Sequence, residues 1–299
     1  MNKRNTLKII AGLMILFALL FNYEFHPLHS MMPSDSASEI QTDEADTTIH
    51  FIDVGQGDAE LIVSGDNAVL IDGGKKSASD TVVNYLSRLG IAHLDAVIAT
   101  HPHEDHIGGL VSVLENFPVD TVYMPDQAMT TKIFEDFLDA IDAQGIVPVC
   151  PEIGDVIPLG DSGGYFTVLA PGTESRERYS DDPNTWSIVV RLDAGGCSAL
   201  FTGDTTSAVE TDMLSANPIM LDCDVLKVTH HGSRTGSGND FLRAVSPSYA
   251  VISYAENNSY GLPDEEIFER LQPLGTKILE TAKHGSICFL LSDGEVILQ

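Results

Sequence analysis

Three histidines and two acidic residues fall within six consecutive positions, His101-Pro102-His103-Glu104-Asp105-His106, and two glycines follow at Gly108 and Gly109. Packing gives no reason to gather so many ligand atoms, whereas a metal site needs them. Upstream, Leu94 to Ala99 reads as a short buried strand; downstream, Ile107 to Glu115 has helical spacing entered through the glycine pair. The cluster therefore belongs on a strand-to-helix turn. There His101 and His103, two residues apart, point the same way, while Asp105 and His106 at the helix start face a second ion. Glu104 falls on the other side by alternation and reads as surface. Neutral imidazoles and carboxylates, with no Cys in the run, suit zinc, with manganese or iron as alternatives. A solvated polar loop would not bring the strand, the helix and Gly-Gly with it.

Further donors follow. Asp204 ends an apolar strand and opens a helix, a position that also suits a helix N-cap. Val225 to Val228 reads as a strand delivering His230 and His231 into a Gly232-Ser233 loop, where Ser233 and the nearby amides could hold phosphate oxygens or simply turn the chain. Asn184 offers a neutral oxygen, as a weak ligand or as a loop cap.

The elements that must position these groups alternate in type. Thr48–Val54, Ala59–Val63 and Asn67–Ile71 are β-rich runs parted by Gly-Gln-Gly and Ser-Gly-Asp turns, which predicts an antiparallel start. A helix is expected over Ser77–Leu89 and another over Thr131–Ala143, with a strand at Thr121–Met124 between them. Ile146–Val149 contains Pro148 and is an edge strand at best. Strands are expected at Tyr165–Ala170, Ser187–Leu192 and Cys197–Phe201. The class is α/β (α+β): two mixed sheets face to face with helices on both outer sides, a four-layer αββα sandwich.

At 299 residues the chain can bury a substantial core. Its formal net charge of −28, from 16 Lys+Arg against 44 Asp+Glu, repels phosphate backbones unless a local basic patch overrides the field. Lys75-Lys76 and Arg176 to Arg178 are the close basic pairs after the N-terminus, too few for a nucleic-acid track. Cys150, Cys197, Cys223 and Cys288 stand singly with no C-x-x-C, which suggests neither a cysteine zinc cage nor a redox pair; two could pair across the fold, but Cys197, Cys223 and Cys288 adjoin apolar runs and read as buried free thiols. Lys3, Arg4 and Lys8 precede an apolar run from Ile9 to Phe21, so residues 1–27 read as a signal anchor or signal peptide, and residues 28–46 as a flexible linker. The remainder, 47–299, would then lie on the extracellular face of the membrane, or be secreted if the signal is cleaved.

His101 to His106 matches the HxHxDH signature of the metallo-β-lactamase superfamily. Asp53–Ala59, Ile71–Gly74, Phe201–Asp204 and Asp224–Ser233 occur in order around it. Together they resemble the soluble metallo-hydrolase domain of ComEC-type DNA-uptake proteins and their free-standing relatives, from about Thr47 to the C-terminus. The resemblance implies two divalent metal ions, Zn2+ or Mn2+. It puts the first on His101, His103 and Asn184, which stands where many relatives have a histidine. It puts the second on Asp105, His106 and His230, with Asp204 bridging. Asp105 and Asp204 would act as the catalytic groups that steer a metal-bridging hydroxide. Asp58 and Asp72 would support the metal floor, and His231, Ser233, Asn258 and Tyr260 would face substrate. Relatives carry YGHP and a second histidine where this chain has Leu262 and Asp264. His284 reads as surface.

The reaction expected is hydrolysis of a phosphodiester in a phosphate-bearing small molecule or envelope polymer, as in the similar phosphorylcholine esterases. An extracellular DNA nuclease of the competence type is the alternative that the charge disfavours. A non-catalytic, metal-stabilised binding module is the alternative motivated by Leu262 and Asn184.

Overall fold

In β3 (Asn67–Ile71), Val69 and Ile71 point to one side and Ala68 and Leu70 to the other, and both sides are buried. A strand covered on both faces needs a layer above and below it, and this period-2 pattern recurs through the chain. The computed structural model describes residues 46–161, 163–178 and 181–299, all within one compact unit, Thr42–Gln299. The anchor expected over 1–27 lies outside the described residues, as does the linker over 28–46 except for Asp46. Among the described residues no helix is long and apolar enough to cross a membrane.

The first sheet contains β1 (Thr47–Phe51), β2 (Glu60–Ser64), β3, β4 (Leu94–Ile98), β5 (Val119–Tyr123), β13 (Ile287–Ser292) and β14 (Glu295–Leu298), ordered β14-β13-β1-β2-β3-β4-β5. The second contains β6 (Val156–Pro158), β7 (Tyr165–Ala170), β8 (Val189–Ala194), β9 (Cys197–Phe201), β10 (Val225–Lys227), β11 (Tyr249–Ile252) and β12 (Lys277–Glu280), in the order β12 to β6. Both sheets are mixed. β1, β2 and β3 are antiparallel, as expected, whereas β3, β4 and β5 are parallel, as are β9 through β12.

Between the sheets lies a core that includes Ile49, Phe51, Ile71, Ile98, Phe166, Val190, Phe201 and Phe289. Phe51 stacks on Phe201 across the sandwich at 6.0 Å between ring centroids. The outer face of the first sheet is covered by α1 (Ser79–Arg88), α3 (Leu110–Asn116) and α4 (Lys132–Ala143), which bury Val82 and Leu86, Leu110 and Val113, and Phe134 and Phe137. The second sheet is covered by α6 (Ser207–Ala216), α7 (Asn239–Val245) and α8 (Glu265–Leu271) through Val209 and Met213, Phe241 and Leu242, and Ile267 and Leu271. At about 1.5–3 kcal/mol for each large apolar side chain withdrawn from water, these three layers of contact hold the sandwich together.

Two local expectations change. The helix predicted over 107–115 is two helices, α2 (Glu104–Ile107) and α3, parted by Gly108-Gly109, so Glu104, Asp105 and His106 are already helical. Ile146–Val149 reduces to a single bridge from Val149 to Tyr123, because Pro148 has no N–H to extend the ladder. All four cysteines are free; Cys197 and Cys223 are buried, Cys288 is half-buried and Cys150 is exposed.

Candidate metal centre

The parallel strands of both sheets deliver their carboxyl ends to one rim of the sandwich, where sites in such sheets generally form. Asp72 follows β3, Thr100 to His106 follows β4, Asp204 follows β9 and His230-His231 follows β10. Glycines let the backbones converge there. A Cβ on Gly109 would collide with the carbonyl oxygen of Gly73, and one on Gly57 with that of Asp105. Backbone bonds run through these contacts, from Asp58 N–H to Asp105 O (3.1 Å), Gly73 N–H to His106 O (2.7 Å) and Gly74 N–H to Asp58 O (2.7 Å).

Asp72 is fully buried and spends both oxygens on the histidine loop. It accepts from Thr100 N–H (2.8 Å) and Thr100 Oγ1–H (2.7 Å), and Oδ2 lies 2.7 Å from His106 Nδ1. A carboxylate against Nδ1 fixes that nitrogen as the donor and leaves Nε2 free. His106 Nε2 is buried, has no hydrogen-bond partner, and points at Asp204 Oδ2, 3.3 Å away. His101 is oriented in the same manner, with Nδ1 on Thr100 Oγ1 at 3.1 Å and Nε2 3.0 Å from His103 Nδ1 and 3.8 Å from Asp204 Oδ2.

The later histidines meet Asp204 from the other sheet, one on each oxygen. His230 Nε2 lies 3.5 Å from Oδ2, and His231 Nε2 lies 3.5 Å from Oδ1 and 3.6 Å from Asp105 Oδ2. His231 is buried, its Nδ1 braced by Ser253 O (3.0 Å) and Asp58 Oδ1 (3.2 Å). His230 is 24% exposed and its Nδ1 meets Thr235 Oγ1 at 3.1 Å. Both residues adopt left-handed backbone, φ 51° and φ 54°, at a cost of about 1–2 kcal/mol each for a side chain with a Cβ. Among the described residues, ligand atoms within 4.8 Å of one another form four linked sets, His101/His106/Asp204, Asp105/His106/His231, Asp58/Asp72/His106 and Asp58/Asp204/His231. The histidine that joins Asp105 and His106 is thus His231, where the sequence suggested His230. His230 stands instead on the side of Asp204 shared with His101.

Charge explains why the arrangement favours cations. Burial would raise Asp204, but His231 and His106 hold it well below the ordinary carboxylate range, and Asp105 is depressed against burial by its bond to His231. Burial opposes a charge on His106, yet Asp204 and Asp72 lift it well above the imidazole range. His231 is raised to about 10 against the same penalty by Asp204 and Asp58. His101 and His103 go the other way, lowered by burial and by the charge on His106. Protons on two rings therefore neutralise the acids, and a divalent cation would compete with them for the same nitrogens.

Sequence reasoning missed what lies under this floor. Lys227 is 1% exposed, with Nζ 2.6 Å from Asp58 Oδ2 and within reach of Val228 O at 3.1 Å. Burial opposes its charge, but Asp58 and Glu60 keep its pKa raised. Beside it, burial and the charge of Asp58 push Glu60 well above the carboxylate range. A lysine in a strand reading K-V gives no hint that it points between the sheets; only the register of β10 shows that.

Above the cluster opens a cleft of about 330 Å³ lined by Gln56, His103, Glu104, Asp105, Asp204, His230, His231, Tyr260 and Leu262. Tyr260 and His231 are among these lining residues. Glu104 also lines it, because α2 starts earlier than the sequence suggested. Asn258 does not line it: its amide donates to Ala255 O and Leu262 O, and its carbonyl accepts from the N–H of Tyr260 and of Leu262, so it folds the loop that presents Tyr260. Ser233 pairs with Thr235 Oγ1 at 2.9 Å and stands outside the cleft lining. Asn184 is on a 3-10 turn, Pro183–Trp186, capped by Asp182, and its Oδ1 is buried with no hydrogen-bond partner. His284 is exposed, in keeping with a surface residue, and closes its own helical turn through Glu280 O, 2.9 Å away.

The sequence profile of the Metallo-beta-lactamase superfamily matches residues 52–256. ComE operon protein 3 of Bacillus subtilis is 31% identical over 257 residues, covering 80% of this chain and 32% of that protein. Competence protein ComA of Neisseria gonorrhoeae is 31% identical over 257 residues, covering 86% and 34%. The chain thus spans about a third of the length of these curated relatives. Among solved structures, the metallo-beta-lactamase fold protein YhfI from Bacillus subtilis superposes with a TM-score of 0.51 at 13% identity, over 82% of this chain and 99% of that one.

Proposed function

The chain belongs to the metallo-beta-lactamase superfamily, and from that premise we propose that it is a hydrolase that cleaves phosphodiesters at a pair of divalent cations. The observation that carries the reading is the set of buried, unpartnered donor atoms around one carboxylate: His106 Nε2, His231 Nε2 and Asp204 Oδ1 have no hydrogen-bond partner. Polar atoms so buried are costly without a hydrogen bond, and a divalent cation in place of the ring protons would meet all three. Imidazole and carboxylate donors without thiolate fit zinc or manganese.

His101, His103, His230 and Asp204 would hold one cation, and Asp105, His106, His231 and Asp204 the other. When bound, such a pair would supply Lewis acidity toward phosphate oxygens and make a water molecule more acidic. The remaining work falls to the chain. Asp105, part-exposed at the cleft, holds a carboxylate oxygen that can accept a hydrogen bond from the attacking water and steer it. Asp72 and Asp58 keep His106 and His231 in the tautomer that leaves Nε2 unprotonated toward the cations, and Lys227 holds Asp58 in place. Gln56 and Tyr260 offer an amide and a phenol to orient the ester, and Leu262 keeps water off one wall.

The net charge favours a phosphate-bearing small molecule or envelope polymer as substrate over a nucleic-acid duplex. A competence-type nuclease is the second reading, favoured by identity to proteins named for competence. We assign residues 1–27 to a signal anchor or signal peptide that places the hydrolase domain, from residue 47, outside the cell. Protease shaving of intact cells is expected to release the domain, and protection in intact cells but not in lysates would reverse that orientation. For the chemistry, protein reloaded with Zn2+ or Mn2+ is expected to turn over bis(p-nitrophenyl) phosphate faster than single-stranded DNA, with chelator abolishing both. Two bound ions with no turnover of any phosphodiester would leave the fold and remove the activity.

A further inference from the structure

Glu210 is a buried acid that the chemistry does not use. It is 1% exposed, in the first turn of α6, the helix that follows Asp204. Its Oε1 accepts from Ser237 N–H (2.6 Å) and from Thr229 Oγ1–H (3.3 Å), and its Oε2 accepts from Gly238 N–H (2.9 Å). Thr229 immediately precedes the histidine pair, and Ser237 and Gly238 close the loop that carries it. One carboxylate therefore ties both ends of that loop to the segment bearing Asp204. Arg270 grips the far end from the other side, donating to Gly236 O (2.9 Å) and Ser237 O (3.0 Å).

The loop needs such restraint. Two consecutive residues with side chains, His230 and His231, hold left-handed backbone, and Ser237 is left-handed as well. Backbone bonds to the pair are few: His230 N–H to Gly203 O (3.0 Å), beside Asp204, and Ser233 N–H to His230 O (2.8 Å). Strain of this kind persists where surrounding structure over-determines it.

We infer that Glu210 is a positioning residue that sets the distance between Asp204 and the His230–His231 pair by clamping their loop onto α6. The consequence for metal rests on the binuclear reading above; the clamp itself does not. Glu210→Gln keeps shape and volume but turns an NH2 toward backbone N–H donors, so the clamp loses an acceptor without leaving a cavity. In metal-free protein, amide exchange at Ser237, Gly238 and Ser233 is expected to quicken at least tenfold, while exchange in β8 stays unchanged. Affinity for both ions, read by chelator competition, is expected to fall at least tenfold, and the visible band of Co2+-loaded protein to shift.

Unchanged exchange at Ser233, or quickened exchange with metal affinity and the Co2+ band as in the parent, would overturn the inference. Should Glu210→Gln fail to fold, Arg270→Lys loosens the same loop from its far end, and the same two readouts apply, with smaller changes expected. A parent protein that binds no metal would defeat the binuclear reading, while the exchange measurement would still decide the clamp.

Discussion

The two loops that face Asp204 hold their histidines by opposite means. On the first sheet, His103 has ordinary extended backbone, φ −75° and ψ 150°, and leads straight into α2. Its neighbours are fixed by contacts a few residues away or across one strand, from Thr100, Asp72 and the glycines. On the second sheet, the pair at 230–231 is left-handed; Thr235 meets His230 within the loop, but the other braces, Asp58, Ser253, Glu210 and Arg270, come from elsewhere in the sequence. The first loop is rigid by local geometry, the second by remote side chains. Ligands of equal chemical strength can thus sit on supports of unequal reach.

Removing one ring from each loop tests whether the difference matters to the ions. On the proposed reading, in which the cations carry most of the chemistry, His103→Ala is expected to lower bound metal and hydrolysis together, the rate by on the order of a thousandfold. His231→Ala should reduce metal content from two ions to one and leave Asp58 and Lys227 paired beneath an empty space. Metal analysis beside a rate measurement checks both, and two ions retained in either variant would break the ligand assignment.

The same contrast explains what was legible in the sequence. The strands Tyr165–Ala170 and Cys197–Phe201 were read to the residue, and the αββα layering followed from alternating strand and helix patterns. The first loop was legible because its ligands are contiguous and its glycines are part of the run. The second was legible only as a pair. The resemblance picks out His230, the first of the pair, but the left-handed turn brings both rings onto Asp204. The resemblance turns Asn258 toward substrate and the sequence leaves Ser233 between a phosphate group and a turn hydroxyl; in the structure both bond to their own loop, as such residues in turns do. Lys227, Glu60 and Gln56 gave no signal because their partners lie in other elements.

A smaller change sharpens the account of the first loop. Asp72→Asn would place an NH2 against either Thr100 or His106 Nδ1, disturbing the tautomer without moving a ligand. Metal affinity is expected to fall about 10–100-fold, the usual loss for a support behind a ligating histidine. Chelator competition measures it; an unchanged affinity would show that Thr100 and the glycine contacts suffice.

Proton competition compares the loops without mutation. In metal-free protein His231 titrates at about 10 against 6.5 for an ordinary imidazole. A raised folded pKa contributes stability below the unfolded value, and that contribution is lost as pH rises through the folded one. Metal-free protein is therefore expected to melt progressively lower from pH 6.5 to about 10 on account of this group. Metal uptake at pH 7–8 is expected to release protons, detectable as a buffer-dependent binding enthalpy. Proton-free binding would mean that His106 and His231 are already neutral.

The smallest effect expected is at the cleft wall. Leu262 lines the opening with Asp105 and His231, at the position where the related motif carries histidine. It bonds to no ligand side chain; its backbone is held by Asn258. Leu262→His should keep both ions and alter kcat/KM by less than tenfold, about 1 kcal/mol, as expected for a change that neither opens a cavity nor buries an unpaired charge. Its signature would be a new limb in the pH–rate profile near the titration of an exposed imidazole, about 6.5. A lost ion instead would place this wall within reach of the cations, and would make the second-sheet side of the cleft as tightly coupled to the metal as the first.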